Sequence, residues 1–150
     1  MMVSQKCQYA IRAIFELAKR VNQGPSRIAE VAEAQAIPPR FLEVILSQLK
    51  QARFVESKRG NEGGYAIARD PAGLTVGEVI RFVECPIGPI SCVAPEAAGE
   101  RCALHGSCVF ITMWKKVEQA MSDVYDHTTF ADLIEQERAL QRKFVSLYTI

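Results

Sequence analysis

The sequence predicts a mainly α-helical fold carrying one small β-hairpin: a winged helix-turn-helix followed by a long apolar helix. Three observations predict it. Two helical patterns, joined by a short turn, run from Arg27 to Leu49. Two strand-like runs, Phe54 to Lys58 and Tyr65 to Ala68, then flank a basic, Gly-rich tip, Arg59-Gly60-Asn61-Glu62-Gly63-Gly64. A broad apolar stripe at helical spacing begins at Val109, beyond an irregular stretch that holds four cysteines.

In chain order, Ser4 is the expected N-cap of a first helix from Gln5 to about Val21, with Tyr9, Ala10, Ala13, Ile14, Leu17 and Ala18 inward. Asn22-Gln23-Gly24-Pro25 ends it. Ser26 is expected to cap a short helix from Arg27 to about Ala34. Gln35-Ala36-Ile37 turns the chain into a third helix near Pro38 or Pro39, where proline suits the first turn. Phe41, Leu42, Ile45, Leu46 and Leu49 form its apolar stripe. After the hairpin, Thr75 leads into a helix from Val76 to about Glu84, with Phe82 off the Val79, Ile80 and Val83 face. Proline and glycine interrupt residues 85–108. From Val109 the stripe is Val109, Met113, Trp114, Val117, Ala120, Met121 and Val124, and Thr128 or Thr129 caps a last helix from Phe130 to about Phe144. The expected division is a winged domain at 1–84, a cysteine-bearing loop at 85–108, and a dimerisation helix with a C-terminal helix at 109–150.

A chain of 150 residues with 49% apolar composition suits one main domain with a modest extension. No apolar run approaches the roughly 18 residues of a membrane span, and the first ten residues lack a signal-peptide core. A cytoplasmic protein is therefore expected. The net charge of +1 is uninformative, but its distribution is not: residues 1–70 carry +4 and residues 71–150 carry −3. The basic half holds the helix and hairpin, as contact with phosphate requires. Such a helix fits the DNA major groove while the hairpin reaches a neighbouring groove or the backbone. His105 and His127 are the only histidines, and neither sits in a nucleophile–base pattern, so no enzyme is expected.

The cysteines Cys85, Cys92, Cys102 and Cys108 are separated by six, nine and five residues, and Cys7 stands apart. Clustered cysteines in a cytosolic chain point to metal or redox chemistry rather than to disulfides. Thiolates are soft ligands for zinc or iron–sulfur clusters. The lack of a knuckle with two intervening residues weakens a structural zinc reading.

These stretches together resemble the winged-helix regulators that include IscR, NsrR, RirA and CymR, from Ser4 to about Leu133. Ser4, Lys6, Tyr9 and Ala10 resemble that family's opening helix. Phe41-Leu42-Glu43 with Leu46 and Leu49 resembles its recognition helix. Arg59-Gly60, Gly63-Gly64-Tyr65 and Ile67-Ala68 resemble its wing, followed by Thr75-Val76-Gly77-Glu78-Val79-Ile80. Cys92, Cys102, Cys108 and the nearby Trp114 resemble its cluster-binding segment.

The resemblance implies a homodimeric transcription factor on a pseudo-palindromic operator of double-stranded DNA. It also implies an iron–sulfur cluster, two-iron or four-iron, held by Cys92, Cys102 and Cys108. IscR-like members place a histidine where this chain has Ile111, and NsrR-like members an aspartate where it has Gln8. The fourth ligand thus stays open among Cys7 from the partner subunit, Cys85 and His105. The expected DNA-contacting residues are Tyr9, Ser26, Pro39, Arg40, Phe41, Glu43, Lys58, Arg59, Gly60, Asn61, Gly63 and Gly64. Arg40 suits guanine and Glu43 suits cytosine, although Glu43 equally suits the helix N-terminus or Arg40 itself. Arg59 suits a narrow minor groove. The expected dimer contacts are Met113, Trp114, Val117 and Met121. The competing readings are a cluster-free regulator that works through a protein partner, and a redox or electron-transfer module.

Overall fold

The computed structural model describes residues 3–84, 87–93 and 107–148. Among them run α1 (Gln5–Lys19), α2 (Ile28–Gln35), α3 (Pro39–Gln51), β1 (Val55–Lys58), β2 (Gly64–Ile67), α4 (Val76–Glu84), a single 3-10 turn (Ser91–Val93), α5 (Ile111–Asp126) and α6 (Phe130–Tyr148). The mainly helical fold with a two-stranded wing is as expected. Helix α1 is the hub and packs against α2, α3, α4, α6 and β2. Its Ser4 cap forms, the hydroxyl accepting from the Cys7 N–H at 3.2 Å. The helix stops at Lys19 rather than near Val21, because the Arg20 N–H turns back to the carbonyls of Leu17 and Ala18 in a tightened last turn.

Helix α2 departs from expectation at its start. Ser26 is not its cap; Arg27 is, and the Glu30 carboxylate accepts from the Arg27 N–H at 3.0 Å. Both backbone groups of Ser26 are engaged elsewhere, exchanging two 2.8 Å hydrogen bonds with Tyr65. Ser26 thereby becomes a one-residue third rung on the hairpin. A helix N-cap needs its carbonyl for the helix, so the two roles exclude each other.

Helices α2 and α3 end in the same way. Ala36 and Arg53 take left-handed backbone angles, φ 48° and 58°. The following residues, Ile37 and Phe54, donate back to Ala32 and Leu49 and are buried. This reversal seats an apolar residue under each helix end. In α3 the core face is Leu42, Ile45, Leu46 and Leu49; Phe41, expected on that stripe, is exposed. Successive helical residues are about 100° apart, and Phe41 lies on the solvent side of Leu42. The hairpin pairs Val55 with Ile67 and Lys58 with Gly64. Phe82, off the α4 stripe as expected, meets Phe54 edge-on at 5.4 Å.

One core joins the whole. Phe130 and Ile134 of α6 belong to the same buried cluster as α1, α3 and α4, so the first turns of α6 share the core of the winged domain. At the α4 start, Thr75 and Glu78 cap each other reciprocally. At the α6 start Thr129 and Asp132 do the same, which selects Thr129 over Thr128 as the cap. The two starts are bonded together: Val76 N–H donates to the Thr128 carbonyl at 2.9 Å, and Phe130 N–H to Leu74 at 3.1 Å. Arg81 grips Asp126 at 2.6 and 2.7 Å. This hydrogen-bonded pairing holds the Asp126 carboxyl below the usual carboxylate range. A Cβ on Gly77 would strike that carboxylate.

Glu16 is the one buried carboxylate among the described residues. Burial alone would push its carboxyl up. Hydrogen bonds from Gln35 (2.8 Å) and Arg20 (2.8 Å), with Lys19 at 3.3 Å, outweigh burial and hold it below the ordinary range. A depressed folded-state value means that the stabilisation is full above the unfolded value and is lost as pH falls through the folded one. Glu16→Gln is expected to cost about 1–2 kcal/mol at neutral pH and to flatten the acid limb of the stability curve. Urea melts from pH 7 down to pH 3 check this; parallel curves for the two proteins would refute it.

Candidate nucleic-acid interface and cysteine segment

Helix α3 and the wing tip are both exposed and both carry basic residues. Pro39, Arg40, Phe41, Glu43, Lys58, Arg59, Gly60 and Asn61 are all exposed. Arg40, Lys58 and Arg59 form no ion pair among the described residues, so their charge is free for phosphate or base edges. Arg40 and Glu43 thus do not pair with each other. The wing turns at Gly60, whose φ of +113° suits glycine, and Gly63 N–H closes the turn onto Gly60 at 2.9 Å.

Sequence reasoning missed one residue that builds this surface. The Arg27 guanidinium donates to the Asn61 carbonyl at 3.0 Å and ties the wing tip to the start of α2. Nothing in the spacing marks it, because the contact spans 34 residues.

Other expected contacts have structural explanations. Ser26 is buried, 4% exposed, with its backbone bonded to Tyr65. Gly64 is required by the close approach of Ser26, whose carbonyl oxygen a Cβ would strike, and Gly63 by the Lys58 carbonyl. Tyr9 is half-buried against the core, with the Arg12 guanidinium 5.8 Å from its ring centroid.

The cysteine segment is described in part. Cys92 and Cys108 are free, half-buried thiols. The turn that carries Cys92 packs against α5, the helix that begins three residues after Cys108. Just before that turn, Ile87 is sunk in the core and anchors the loop. Cys85, Cys102 and His105 lie outside the described residues. Among the described residues no three metal-ligating side chains converge.

Cys7, expected as a cross-subunit ligand, is 0% exposed in the core of its own subunit. Burial, reinforced by the Glu84 carboxylate, pushes its thiol up to about 12. A cross-subunit ligand must be reachable, and Cys7 is enclosed in its own subunit. The remaining donors, Cys92 and Cys108 with Cys102, retain the soft chemistry that iron–sulfur clusters require.

Phe110, which caps α5, and Met113, Val117, Ala120 and Val124 on the helix form an exposed row with spacings of three and four residues. This is the pattern of a helix–helix seam. Trp114 is half-buried. Met121, expected in the dimer contact, instead packs against the core of its own subunit together with Tyr125.

The sequence matches Rrf2, described as iron-dependent transcriptional regulators, over residues 3–136. The chain belongs to the Rrf2 family. It is 32% identical to the HTH-type transcriptional regulator CymR of Bacillus subtilis over 133 residues, 89% of each chain. Its fold is similar to that of CymR, the global cysteine regulator of B. subtilis, with a TM-score of 0.76, 29% identity and coverage of 91% of this chain and 98% of that one. It is similar to T. potens IscR with a TM-score of 0.74, 29% identity and coverage of 94% and 91%. The winged-helix assignment and DNA-binding transcription regulation follow from membership. No described helix is long and apolar enough to cross a membrane.

Proposed function

We propose that the chain is a homodimeric regulator that binds a pseudo-palindromic duplex through α3 and the wing, under the control of an iron–sulfur cluster held by Cys92, Cys102 and Cys108. The carrying observation is the packing of the Cys92 turn on α5. One helix then connects the cysteine segment, the exposed apolar row and, at its far end, the DNA-reading domain. When bound, the cluster supplies a centre that responds to iron supply, oxygen or nitric oxide. The protein's own part is mechanical. The C-terminal end of α5 is held to α4 by the Arg81–Asp126 pair and the Thr128 carbonyl, and α4 packs on α1. A shift at the N-terminal end of α5 therefore bears on the winged domain, provided that the two states of the cysteine segment differ in free energy.

Anaerobic purification tests this. The wild-type protein is expected to carry iron, sulfide and visible absorption, and Cys92→Ala, Cys102→Ala and Cys108→Ala are each expected to lose them. Cys7→Ala is expected to retain them, since Cys7 is enclosed in the core. A full cluster in any of the three variants would remove the assignment. A wild-type protein free of iron would favour the second reading, a cluster-free regulator working through a protein partner; the similarity to CymR, a global cysteine regulator, keeps a signal other than iron open.

At the wing, Arg59→Ala is expected to weaken duplex binding and to lower the slope of log affinity against log salt by about one unit. Its melting temperature should hold, because Arg59 is exposed and unpaired among the described residues. Wild-type affinity across a salt titration would take Arg59 out of the interface.

A further inference from the structure

The outward face of α3 is unusual for a helix expected in a polar groove. Phe41 is 64% exposed and Val44 57%, although Leu42, Ile45, Leu46 and Leu49 already supply the core contacts of the helix. At about 100° per residue, Val44 lies near the middle of the exposed arc, within roughly 60° of Arg40, Phe41 and Ser47. Two large apolar side chains kept in water on the first two turns of a helix that follows proline call for an apolar partner.

We propose that Phe41 and Val44 read the C5-methyl groups of thymine in the major groove, beside the base or phosphate contacts of Arg40. This rests on reading α3 as the groove helix. The thymine methyl is the one apolar group that the major-groove edges present, and it distinguishes thymine from every other base. The surroundings favour a nucleic acid as the occupant. Arg40, on the same helix, forms no ion pair among the described residues, the wing adds the exposed cations Lys58 and Arg59, and Glu43 is the sole acidic residue of α3. A protein partner held by this face would need a far larger apolar area than two side chains offer. Specificity then divides by chemistry: Arg40 and Glu43 discriminate through hydrogen bonds, and Phe41 and Val44 by shape and methyl burial.

The test uses deoxyuridine, which pairs as thymine does but lacks the methyl group. A random duplex pool is enriched on the full-length wild-type protein, and each thymine of the recovered motif is replaced singly by deoxyuridine. At one or more positions in each half-site, wild-type affinity should fall about three- to fivefold per methyl lost. Val44→Ala and Phe41→Ala should each bind thymine and deoxyuridine equally at one of those positions while keeping the wild-type discrimination elsewhere. Both residues are exposed, so circular dichroism melts should match wild type. An enriched motif indifferent to deoxyuridine, or variants that keep the full discrimination, would overturn the proposal and leave α3 as the groove helix. A variant that changes oligomeric state instead would show the face to be covered by protein, and would overturn it as well. Failure to enrich any motif would remove the reading of α3 and the proposal with it.

Discussion

Val117→Glu is expected to yield monomers. Val117 stands in the middle of the row Phe110, Met113, Val117, Ala120 and Val124, and is 37% exposed in the single chain. In a seam between two copies that residue would be enclosed, and the substitution would place two carboxylates in an apolar contact. An unpaired buried charge costs several kcal/mol, enough to raise the dimer dissociation constant by at least about 100-fold. The monomer should still fold, because Val117 lies outside the buried core cluster of its own subunit. Sedimentation velocity reads the mass directly. Affinity for a two-half-site duplex should fall with it, while a single half-site should be bound as weakly as by wild type. A Val117→Glu protein that sediments as a dimer would move the interface to another surface. The exposed Leu140 and Phe144 on α6 would then be the next place to look.

Gly64→Ala is expected to be the most damaging small change in the wing. The added methyl would enter the Ser26 carbonyl, which accepts from the Tyr65 N–H, in a residue whose own N–H donates back to the Tyr65 carbonyl. Backbone cannot swing aside as a side-chain tip can. The rung must therefore open or the wing must tilt, at a cost of about 2–3 kcal/mol, or roughly 5–10 °C in melting temperature for a chain of this size. Duplex affinity should fall further than stability suggests, because the Ser26–Tyr65 rung and the Arg27–Asn61 bond set the wing angle relative to α3. Gly60→Ala is the informative control. It faces open space and carries only the strain of its positive φ, about 1–2 kcal/mol. If Gly64→Ala melts no lower than Gly60→Ala, the close approach is not what requires glycine at 64.

Features that depend on neighbours along the chain were legible in the residues alone. Periodicity located every helix to within a few residues, and the Gly-rich basic tip located the wing. Short-range chemistry also marked the caps at Ser4 and Thr75. The cysteine spacing and the matching segments pointed to the family before any coordinates. Other features emerge only in the fold, because they depend on contacts between residues far apart. Ser26 reads locally as a helix cap, and only the arrival of Tyr65, 39 residues later, makes it a rung of the sheet. Cys7 reads as a candidate ligand for the partner's cysteine loop, and only the packing of α1 at the hub encloses it. Phe41 and Leu42 are both apolar and adjacent. A periodic pattern tolerates either on the core face, and the orientation of α3 against α1 buries one and leaves the other in solvent. In the same way, α5 shows a single broad stripe in sequence. The docking of α4 and the core divides it, drawing Met121 and Tyr125 inward and leaving Met113, Val117 and Val124 uncovered. Local spacing limits which residues can share a face, but the direction in which that face points is set by the free energy of the whole packed core.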